Sequence, residues 1–423
     1  MIHSDTARHV LAATSPAAPA GPYFYGYNII AASCILQMMY LGTLFSYGVL
    51  FPELEAEFGW SRATISGASS LSFLLMGGLA IFMGRINDVL GPRILLAVTG
   101  ALFGLGYLMM FRMQSVWELY LYFGLLIGIG MGAHDVGTLS TAARWFSTRR
   151  GVMSGVVKAG AGVGQLTVPL IAAALVSAFD WRTTCIIIGG TVMVGTVIAA
   201  QVMRRDPAVM GLKPYGADQI SSALGANHGA TLREALRTRT FWLLCLAKFA
   251  DLFCLFTVIV HIVPYSIDKG LPASTAAQVL ATIGGVSIVG RLAIGAAYDR
   301  FGAKRSLMFC FALLFASLVL LQLIGDRTWT LFLFGSIYGI AHGGFFTVAS
   351  PSVAEYFGTK AHGAILGAVF LSGSVGGTFG PLLAGGLFDK TGSYGVSFLV
   401  LSGFAFLGLV TAAVLPRIIR PAR

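Results

Sequence analysis

The sequence contains little charge, and very little acid, for its length. Only 11% of its 423 residues are charged, whereas an ordinary soluble domain carries about 25%. Asp and Glu together number 17, against 28 Lys and Arg, while 56% of the residues are hydrophobic. This balance excludes a large soluble domain and predicts a polytopic membrane protein.

Cysteine is also scarce, and metal-ligand clusters are missing. The five cysteines all fall inside apolar segments, and none forms a CxxC pair. We therefore expect neither a disulfide framework nor a metal site. Clustered His or acidic ligands at a membrane edge, which an integral-membrane enzyme would need, are not visible either. The sequence thus predicts a protein that is not an enzyme and holds no cofactor.

Two further absences concern targeting and energy supply. Residues 1–24 lack a basic region followed by a clean apolar core, so they are expected to form a flexible tail rather than a signal peptide. The chain also contains no Walker sequence and no strand-to-helix glycine turn that could cradle a nucleotide. Any transport would therefore be driven by gradients rather than by ATP.

What the chain does contain is a series of apolar runs of the length that crosses a bilayer, about 20 residues. Twelve such runs are predicted to be membrane helices: 25–50, 64–84, 94–111, 119–143, 152–178, 184–203, 241–266, 274–297, 306–325, 329–352, 363–387 and 394–415.

The longest interior polar stretch separates the sixth run from the seventh. It predicts an N-terminal six-helix bundle over 25–203, a basic linker over 204–240 and a C-terminal six-helix bundle over 241–423. The fold class expected is an all-α membrane protein with twelve helices in two bundles.

The positions of the basic residues predict the orientation. With the N-terminus inside, 19 of the 28 Lys and Arg lie in cytoplasmic segments and six in outer loops. This asymmetry follows the positive-inside rule and predicts cytoplasmic termini in a cell inner membrane. The net charge of +11 is therefore explained by topology, and no nucleic-acid partner is expected.

The two halves repeat each other. Gly84-Arg85-Ile86-Asn87-Asp88-Val89-Leu90-Gly91-Pro92-Arg93 aligns without a gap on the segment from Gly295 to Lys304, at an offset of 211 residues. Further on, Trp145-Phe146 matches Tyr356-Phe357, and Gly151 matches Gly363 after one extra residue. Two related six-helix halves are the plan of transporters that hold a substrate between them near mid-membrane.

The two aligned loops, each Gly-x-x-x-Asp-x-x-Gly-x-Arg/Lys, resemble the signature loop of the major facilitator superfamily. Three shorter motifs resemble its monocarboxylate transporter and oxalate:formate antiporter branch. They are Tyr25-Gly26-Tyr27, Trp145-Phe146-Ser147-Thr148-Arg149-Arg150-Gly151, and Gly290-Arg291 in the eighth run. The resemblance implies the two-bundle fold of that superfamily and transport by alternating access.

Arg291 is the first candidate site residue, because a guanidinium in an apolar segment cannot discharge and needs compensation. The resemblance implies that it pairs with a substrate carboxylate. Two alternatives stay open: snorkelling to the cytoplasmic surface, about 9 Å away at 1.5 Å per residue, or a permanent salt bridge. Lys158 lies at a similar depth, and the resemblance implies that helices 5 and 8 face each other. Lys158 either joins Arg291 in one anion site or pairs with Asp135 or Asp251.

Proton coupling has its own candidates. Lys248 and Asp251 are three residues apart and share a helix face, so they form either an ion pair or a titratable carrier whose pKa responds to substrate. The His134-Asp135 pair is a second candidate, since histidine titrates near physiological pH. The resemblance implies a coupling lysine and acid at positions that here hold Phe45 and Ser287. The coupling pair that the resemblance implies is therefore absent from this sequence.

The remaining candidates line the expected cavity or close it. His342 in the tenth run, and Gln37, Tyr40 and Tyr47 on a stripe of the first run, are predicted either to contact substrate or to pack structurally. Asp88, Arg93, Asp299, Arg300 and Lys304, all in the repeated loops, are predicted to latch the cytoplasmic face.

Together these features predict a secondary transporter of small organic anions, with a monocarboxylate moving with a proton. An exchanger of carboxylates or dicarboxylates is the alternative, and a receptor or channel is the alternative from another class. The partners expected are the carboxylate, protons and the lipid bilayer, and the protein is expected to function as a monomer.

Overall fold

The computed structural model describes residues 24–60, 62–217, 229–323 and 328–418, and nearly all of them are helical. Twelve long helices follow one another along the chain. They are α1 Gly26–Phe58, α2 Arg62–Leu90, α3 Pro92–Met109, α4 Val116–Trp145, α5 Arg150–Ala178, α6 Trp181–Val202, α7 Arg239–Asp268, α8 273–301, α9 303–323, α10 Thr328–Phe357, α11 His362–Thr391 and α12 Gly395–Val414.

The predicted twelve-helix fold is confirmed. In the described residues, eleven helices are long and apolar enough to cross a membrane. One of them, Ala273–Leu323, contains the non-helical residue Gly302 at φ 82° and ψ 178°, which divides it into α8 and α9. Gly91, between α2 and α3, has φ 85° and ψ 166°. The repeated loop therefore makes the same left-handed turn in both halves, a conformation that favours glycine.

Helices extend beyond the apolar runs that predicted them. α1 continues to Phe58, past the predicted end at residue 50, and α2 continues to Leu90 rather than ending at 84. Hydropathy marks only the part of a helix that contacts lipid, whereas the backbone hydrogen bonds continue into the polar segment. In α1 they end at Gly59, which has φ 65°.

Apart from Phe24, the expected N-terminal tail lies outside the described residues, as does the middle of the linker, 218–228. The described parts of the linker contact both bundles. Tyr215 donates its backbone N–H to the Trp145 carbonyl at 2.9 Å, and Ala230 donates to the Phe357 carbonyl at 2.9 Å. These two bonds attach the linker to the corresponding ends of α4 and α10.

Helices α1–α6 form the first bundle and α7–α12 the second. The two bundles meet where α2 crosses α11 and where α5 crosses α8. At each crossing two glycines lie face to face: a Cβ added to Gly84 would lie 2.1 Å from the Gly363 carbonyl oxygen, and one added to Gly151 would lie 2.2 Å from that of Gly295. Small residues allow membrane helices this close approach. We call the end of the molecule that holds both crossings the latch face.

α4 is irregular in its middle, where it reaches the centre of the molecule. A π-helical segment, Tyr120–Ile127, is followed by a short α-helical turn, and a fresh α-helix begins at His134. Such departures from α-helical hydrogen bonding are frequent at functional sites. The break places His134 and Asp135 in the first turn of a helix at mid-span.

Candidate functional site

A cavity of about 410 Å³ lies between the two bundles. Helices α1, α2, α4 and α5 form one side of it, and α7, α8 and α10 form the other. Along α5 the wall extends from Lys158 to Leu170, a distance of about 18 Å at 1.5 Å per residue. The cavity therefore begins above the latch-face crossings and continues away from them.

The charged residues of this wall are confined to its latch-face end, which we call the cavity floor. It is formed by Asp135, Lys158, Arg291, His134 and His342. Toward the other end the lining is mainly leucine, isoleucine, phenylalanine, glycine and alanine. Cβ atoms added to Gly284 and Gly285 would meet nothing within 4 Å, so α8 faces open space there.

Arg291 is buried at the floor with only 2% of its surface exposed, so it does not snorkel to the surface. Its Nη1 donates to the Lys158 carbonyl oxygen at 2.9 Å, and its buried Nε has no hydrogen-bond partner. It makes no ion pair with any acid in the part of the chain that the structure describes. Gly162 allows the approach, because a Cβ at that position would lie 2.4 Å from Nη1. The guanidinium thus enters the site without a directly paired carboxylate; Asp135, which is paired with Lys158, acts on it only at longer range.

Lys158, in contrast, is paired. Its Nζ lies 2.6 Å from Asp135 Oδ1 and also donates to Gln37 Oε1 at 3.4 Å. Gln37 in turn donates to Asp135 Oδ1 at 2.8 Å and to Thr138 Oγ1 at 2.9 Å. The acid, the lysine and the amide form one network across α1, α4 and α5. The ammonium charge is neutralised inside the first bundle.

Lys248 and Asp251 form the second buried pair, with Nζ and Oδ2 at 2.6 Å. They do not line the cavity; the ring of Phe346 does, and Lys248 lies behind it. The Phe346 centroid is 4.9 Å from Lys248 Nζ, 5.1 Å from Lys158 Nζ and 6.0 Å from Arg291 Cζ. Cations over an aromatic face are attracted by the ring quadrupole. One phenylalanine therefore contacts all three intramembrane cations.

The histidines have unequal environments. His134 Nδ1 contacts the Met131 carbonyl oxygen at 2.6 Å, and Nε2 lies 3.4 Å from Asp135 Oδ1. His342 packs against Phe346 with ring centroids 5.2 Å apart, and its buried Nδ1 has no partner in the described residues. His342 therefore has free hydrogen-bonding capacity beside the cavity.

The two candidate tyrosines of α1 do not line the cavity. Tyr47 donates to the Ile65 carbonyl oxygen at 2.9 Å and stacks on Phe123, while Tyr40 donates to the Leu96 carbonyl oxygen at 3.4 Å. Both rings lie inside the first bundle, on the same side as Gln37. Leu41, Leu44 and Phe45 present the cavity side of this helix instead.

At the latch face the two repeated aspartates connect the bundles. Asp88 accepts the backbone N–H groups of Gly363 and Ala364, both at 3.1 Å. Asp299 accepts those of Gly151 and Val152, at 2.8 and 2.9 Å. Each carboxylate thus caps the first turn of a helix in the other bundle, where the helix dipole favours negative charge.

The three predicted latch cations are placed differently. Arg93 donates to Gln201 at 2.8 Å and Lys304 to the Leu415 carbonyl oxygen at 2.8 Å, each within its own bundle. Arg300 lies over the neighbouring Phe301 ring. Asp88 also binds a cation that was not predicted, Arg144, whose Nη2 donates to its carboxylate.

Arg144, Phe346 and Gly162 were not among the candidate residues. Arg144 lies in a segment predicted to be cytoplasmic, and its place directly before the repeated Trp145-Phe146 is the signal that could have found it. Phe346 could have been found from the repeat, since it lies 211 residues after Asp135, the same offset as the loops. Nothing in the sequence pattern distinguishes Gly162 from its neighbours Gly160 and Gly164.

A two-bundle helical protein with a central cavity and paired capping joints has the architecture of a secondary transporter. Comparison with known proteins agrees. The family model described as "Major Facilitator Superfamily" matches residues 33–307 and 286–423. The chain therefore belongs to the major facilitator superfamily, and it is a multi-pass membrane transporter.

Among characterised sequences the chain is similar to monocarboxylate transporters. It is 29% identical to monocarboxylate transporter 13 of Rattus norvegicus over 398 residues, covering 93% of this chain and 89% of the relative. It is 27% identical to monocarboxylate transporter 11 of Homo sapiens over 414 residues, covering 93% and 85%. The predicted resemblance to this branch is thus confirmed.

Solved structures of the same fold include a variant of the E. coli fucose:proton symporter FucP, with a TM-score of 0.69, 14% identity and coverage of 92% and 98%. The proton:xylose symporter XylE has a TM-score of 0.68, 15% identity and coverage of 93% and 96%. At this identity the likeness establishes the fold alone.

Proposed function

We propose that this transporter carries small organic monocarboxylates by alternating access, with the substrate carboxylate bound to Arg291. The observation that carries the proposal is the buried guanidinium at the cavity floor, which has no acidic partner in the described residues. A guanidinium offers a planar pair of donors that matches a carboxylate. A bound anion would supply the missing negative charge.

The other floor residues take supporting roles in this proposal. Lys158, held by Asp135 and Gln37, adds positive potential beside Arg291, and His342 offers an unpartnered nitrogen to a substrate oxygen. Tyr40 and Tyr47 are assigned the role of positioning α1, since their hydroxyls donate to backbone carbonyls within the bundle.

For proton coupling we propose Asp135, with His134 beside it, as the group that exchanges protons with the cavity. It lines the wall, whereas Asp251 and Lys248 lie outside it and behind the Phe346 ring. Loss of a proton from Asp135 strengthens its hold on Lys158, and protonation would release the lysine toward an incoming anion.

Carboxylate exchange is the second candidate, and one observation favours it. The position at which the resembling symporters carry an acid on α8 holds Ser287, which is 1% exposed and donates to the Gly284 carbonyl oxygen at 2.7 Å. With no acid there, a proton has fewer places to bind near Arg291.

We further propose that the latch face is cytoplasmic, so that both chain ends lie inside the cell. We also propose that the protein is in the cell inner membrane and functions as a monomer. The support is the distribution of basic residues: 19 of the 28 fall in the segments that the sequence predicts to be cytoplasmic, and the repeated loops at the latch face are among these segments. In this orientation the cavity leads toward the outside.

The experiment is uptake by proteoliposomes of a panel of labelled carboxylates, with and without an inward proton gradient. Uptake stimulated by the gradient supports proton-coupled transport. Uptake that depends only on unlabelled carboxylate inside the vesicles supports exchange. If no carboxylate of the panel enters under either condition, the proposed function is wrong.

A further inference from the structure

The cavity presents two regions of opposite character to a ligand, and their arrangement restricts the substrate beyond its being a carboxylate. We propose that the preferred substrate is a monoanion with a large apolar body, that is, an aryl- or alkyl-carboxylate rather than a short hydroxy acid or a dicarboxylate. This inference rests on the proposed function.

The charge of the cavity floor determines how many negative charges the substrate carries. Among the residues that line the cavity, the ionised groups are Asp135, Lys158 and Arg291. Asp135 and Lys158 neutralise each other at 2.6 Å, so one positive charge is left. The pair behind Phe346, Lys248 and Asp251, is neutral as a unit. A monocarboxylate balances this floor, whereas a second carboxylate would have to displace Asp135 from Lys158 and leave a buried charge unpaired.

The apolar side chains of the remaining cavity wall favour a substrate with an apolar body. The large side chains that face the cavity from the first bundle include Leu44, Phe45, Phe73 and Met76, and Phe256 and Ile259 face it from α7. Phe73 and Phe256 approach each other from the two bundles, with ring centroids 6.1 Å apart. Removing this apolar surface from water is favourable only when the ligand that covers it is also apolar.

The same wall offers few partners to a polar ligand. In the described lining there is no serine, threonine, tyrosine or asparagine, and beyond the floor the only polar side chain is Gln165. A substrate hydroxyl held above the floor would lose its water and gain little in return, which is costly for a buried polar group. The lining therefore disfavours ligands with hydroxyl groups along their whole length, such as sugars. Short hydroxy acids are disfavoured for a different reason, because they leave the apolar wall uncovered.

Size is consistent with this class. A cavity of about 410 Å³ falls within the range of about 300–1,000 Å³ that holds drug-sized ligands. A two- or three-carbon acid would leave most of that space to water. Gly284 and Gly285, which have open space before them, keep the α8 side wide enough for a ring.

The test is ligand binding to the purified full-length protein. Binding is measured in two ways, as thermal stabilisation and as displacement of a labelled long monocarboxylate. The probes are acetate, butanoate, hexanoate and 3-phenylpropanoate, with lactate as the hydroxy acid, adipate as the dicarboxylate of hexanoate length, and hexanamide as the neutral analogue. We expect affinity to rise about three- to fourfold per methylene. Adipate is expected to bind at least tenfold more weakly than hexanoate, and hexanamide not to compete.

A pair of variants separates cavity binding from partition into detergent. Phe45→Ala removes a ring from the wall and should flatten the chain-length dependence. Phe309→Ala, at a similarly exposed ring outside the cavity, should leave it unchanged.

The outcomes distinguish this inference from the function on which it rests. If lactate or adipate binds more tightly than hexanoate, or if chain length has no effect, the substrate class is wrong while carboxylate transport stands. If none of the acids binds, acetate included, the proposed function fails as well.

Discussion

The two bundles share a fold but differ in charge at their centre. At the offset of the repeat, Asp135 of α4 corresponds to Phe346 of α10. In the first bundle the acid neutralises Lys158 at 2.6 Å. In the second bundle the Phe346 ring contacts Arg291 but cannot neutralise it, and Arg291 has no acidic partner among the described residues. The repeat therefore builds the same frame twice, while the charged residues at the centre differ between the two copies: Arg291, for example, corresponds to Ala80. The difference leaves a net positive charge in the second bundle.

The largest effect is expected from removing the acid of the first bundle. Asp135→Asn would leave Lys158 charged, buried and without a carboxylate, and breaking a buried pair in this way costs about 3–5 kcal/mol. We expect a strongly lowered unfolding temperature in detergent, measured by intrinsic tryptophan fluorescence. The double variant Asp135→Asn/Lys158→Gln should recover most of the loss. A single variant as stable as the parent would show that the pair is not needed to neutralise the bundle.

The next effect comes from giving the second bundle the acid of the first. Phe346→Asp would place a carboxylate near Arg291, whose Cζ lies 6.0 Å from the centroid of the present ring. At a separation of about 6 Å the attraction is about 3 kcal/mol at an effective dielectric constant of about 20. We expect it to compete with substrate and to weaken carboxylate binding roughly a hundredfold. Phe346→Leu, which adds no charge, is the control and should weaken binding much less. Equal binding by the Asp variant and the parent would contradict the charge comparison.

A smaller effect is expected from moving the guanidinium without removing it. In Gly162→Ala the new methyl group would lie 2.4 Å from Arg291 Nη1. The side chain must shift, and misalignment with a carboxylate should weaken binding about tenfold, or about 1.4 kcal/mol. Gly190→Ala is the matched control, because a Cβ there meets nothing within 4 Å. The measurement is displacement of labelled ligand from each variant, and identical affinities would rule out a positional requirement.

Much of the fold could be predicted from the sequence because its causes are local. Apolar run length determines which segments cross the bilayer, and the repeated loop at an offset of 211 locates both joints. The break at Gly302 could not be anticipated as a single residue, since a polar loop and a left-handed glycine turn look alike in hydropathy. Helix limits in the polar segments were missed for the same reason.

The site was only partly predictable, because it depends on which way each helix faces. Arg291 and Lys158 stand out as charges in apolar runs, and the structure places them side by side. Spacing alone grouped Tyr40 and Tyr47 with the cavity, but α1 packs those rings into its own bundle. Phe346 carries no charge and is one of 30 phenylalanines, so only its correspondence to Asp135 in the repeat distinguishes it in the sequence. Its importance depends on three cations brought together from different helices.

The central claim is that Arg291 binds the carboxylate, and the most direct measurement is equilibrium binding of a labelled monocarboxylate to purified Arg291→Gln and parent protein. Truncating one partner of a buried charge pair costs about 2–5 kcal/mol, so affinity should fall by a factor of roughly thirty or more. Arg305→Gln, an exposed arginine at the latch face, is the control and should bind as the parent does. An unchanged dissociation constant for Arg291→Gln would contradict the account.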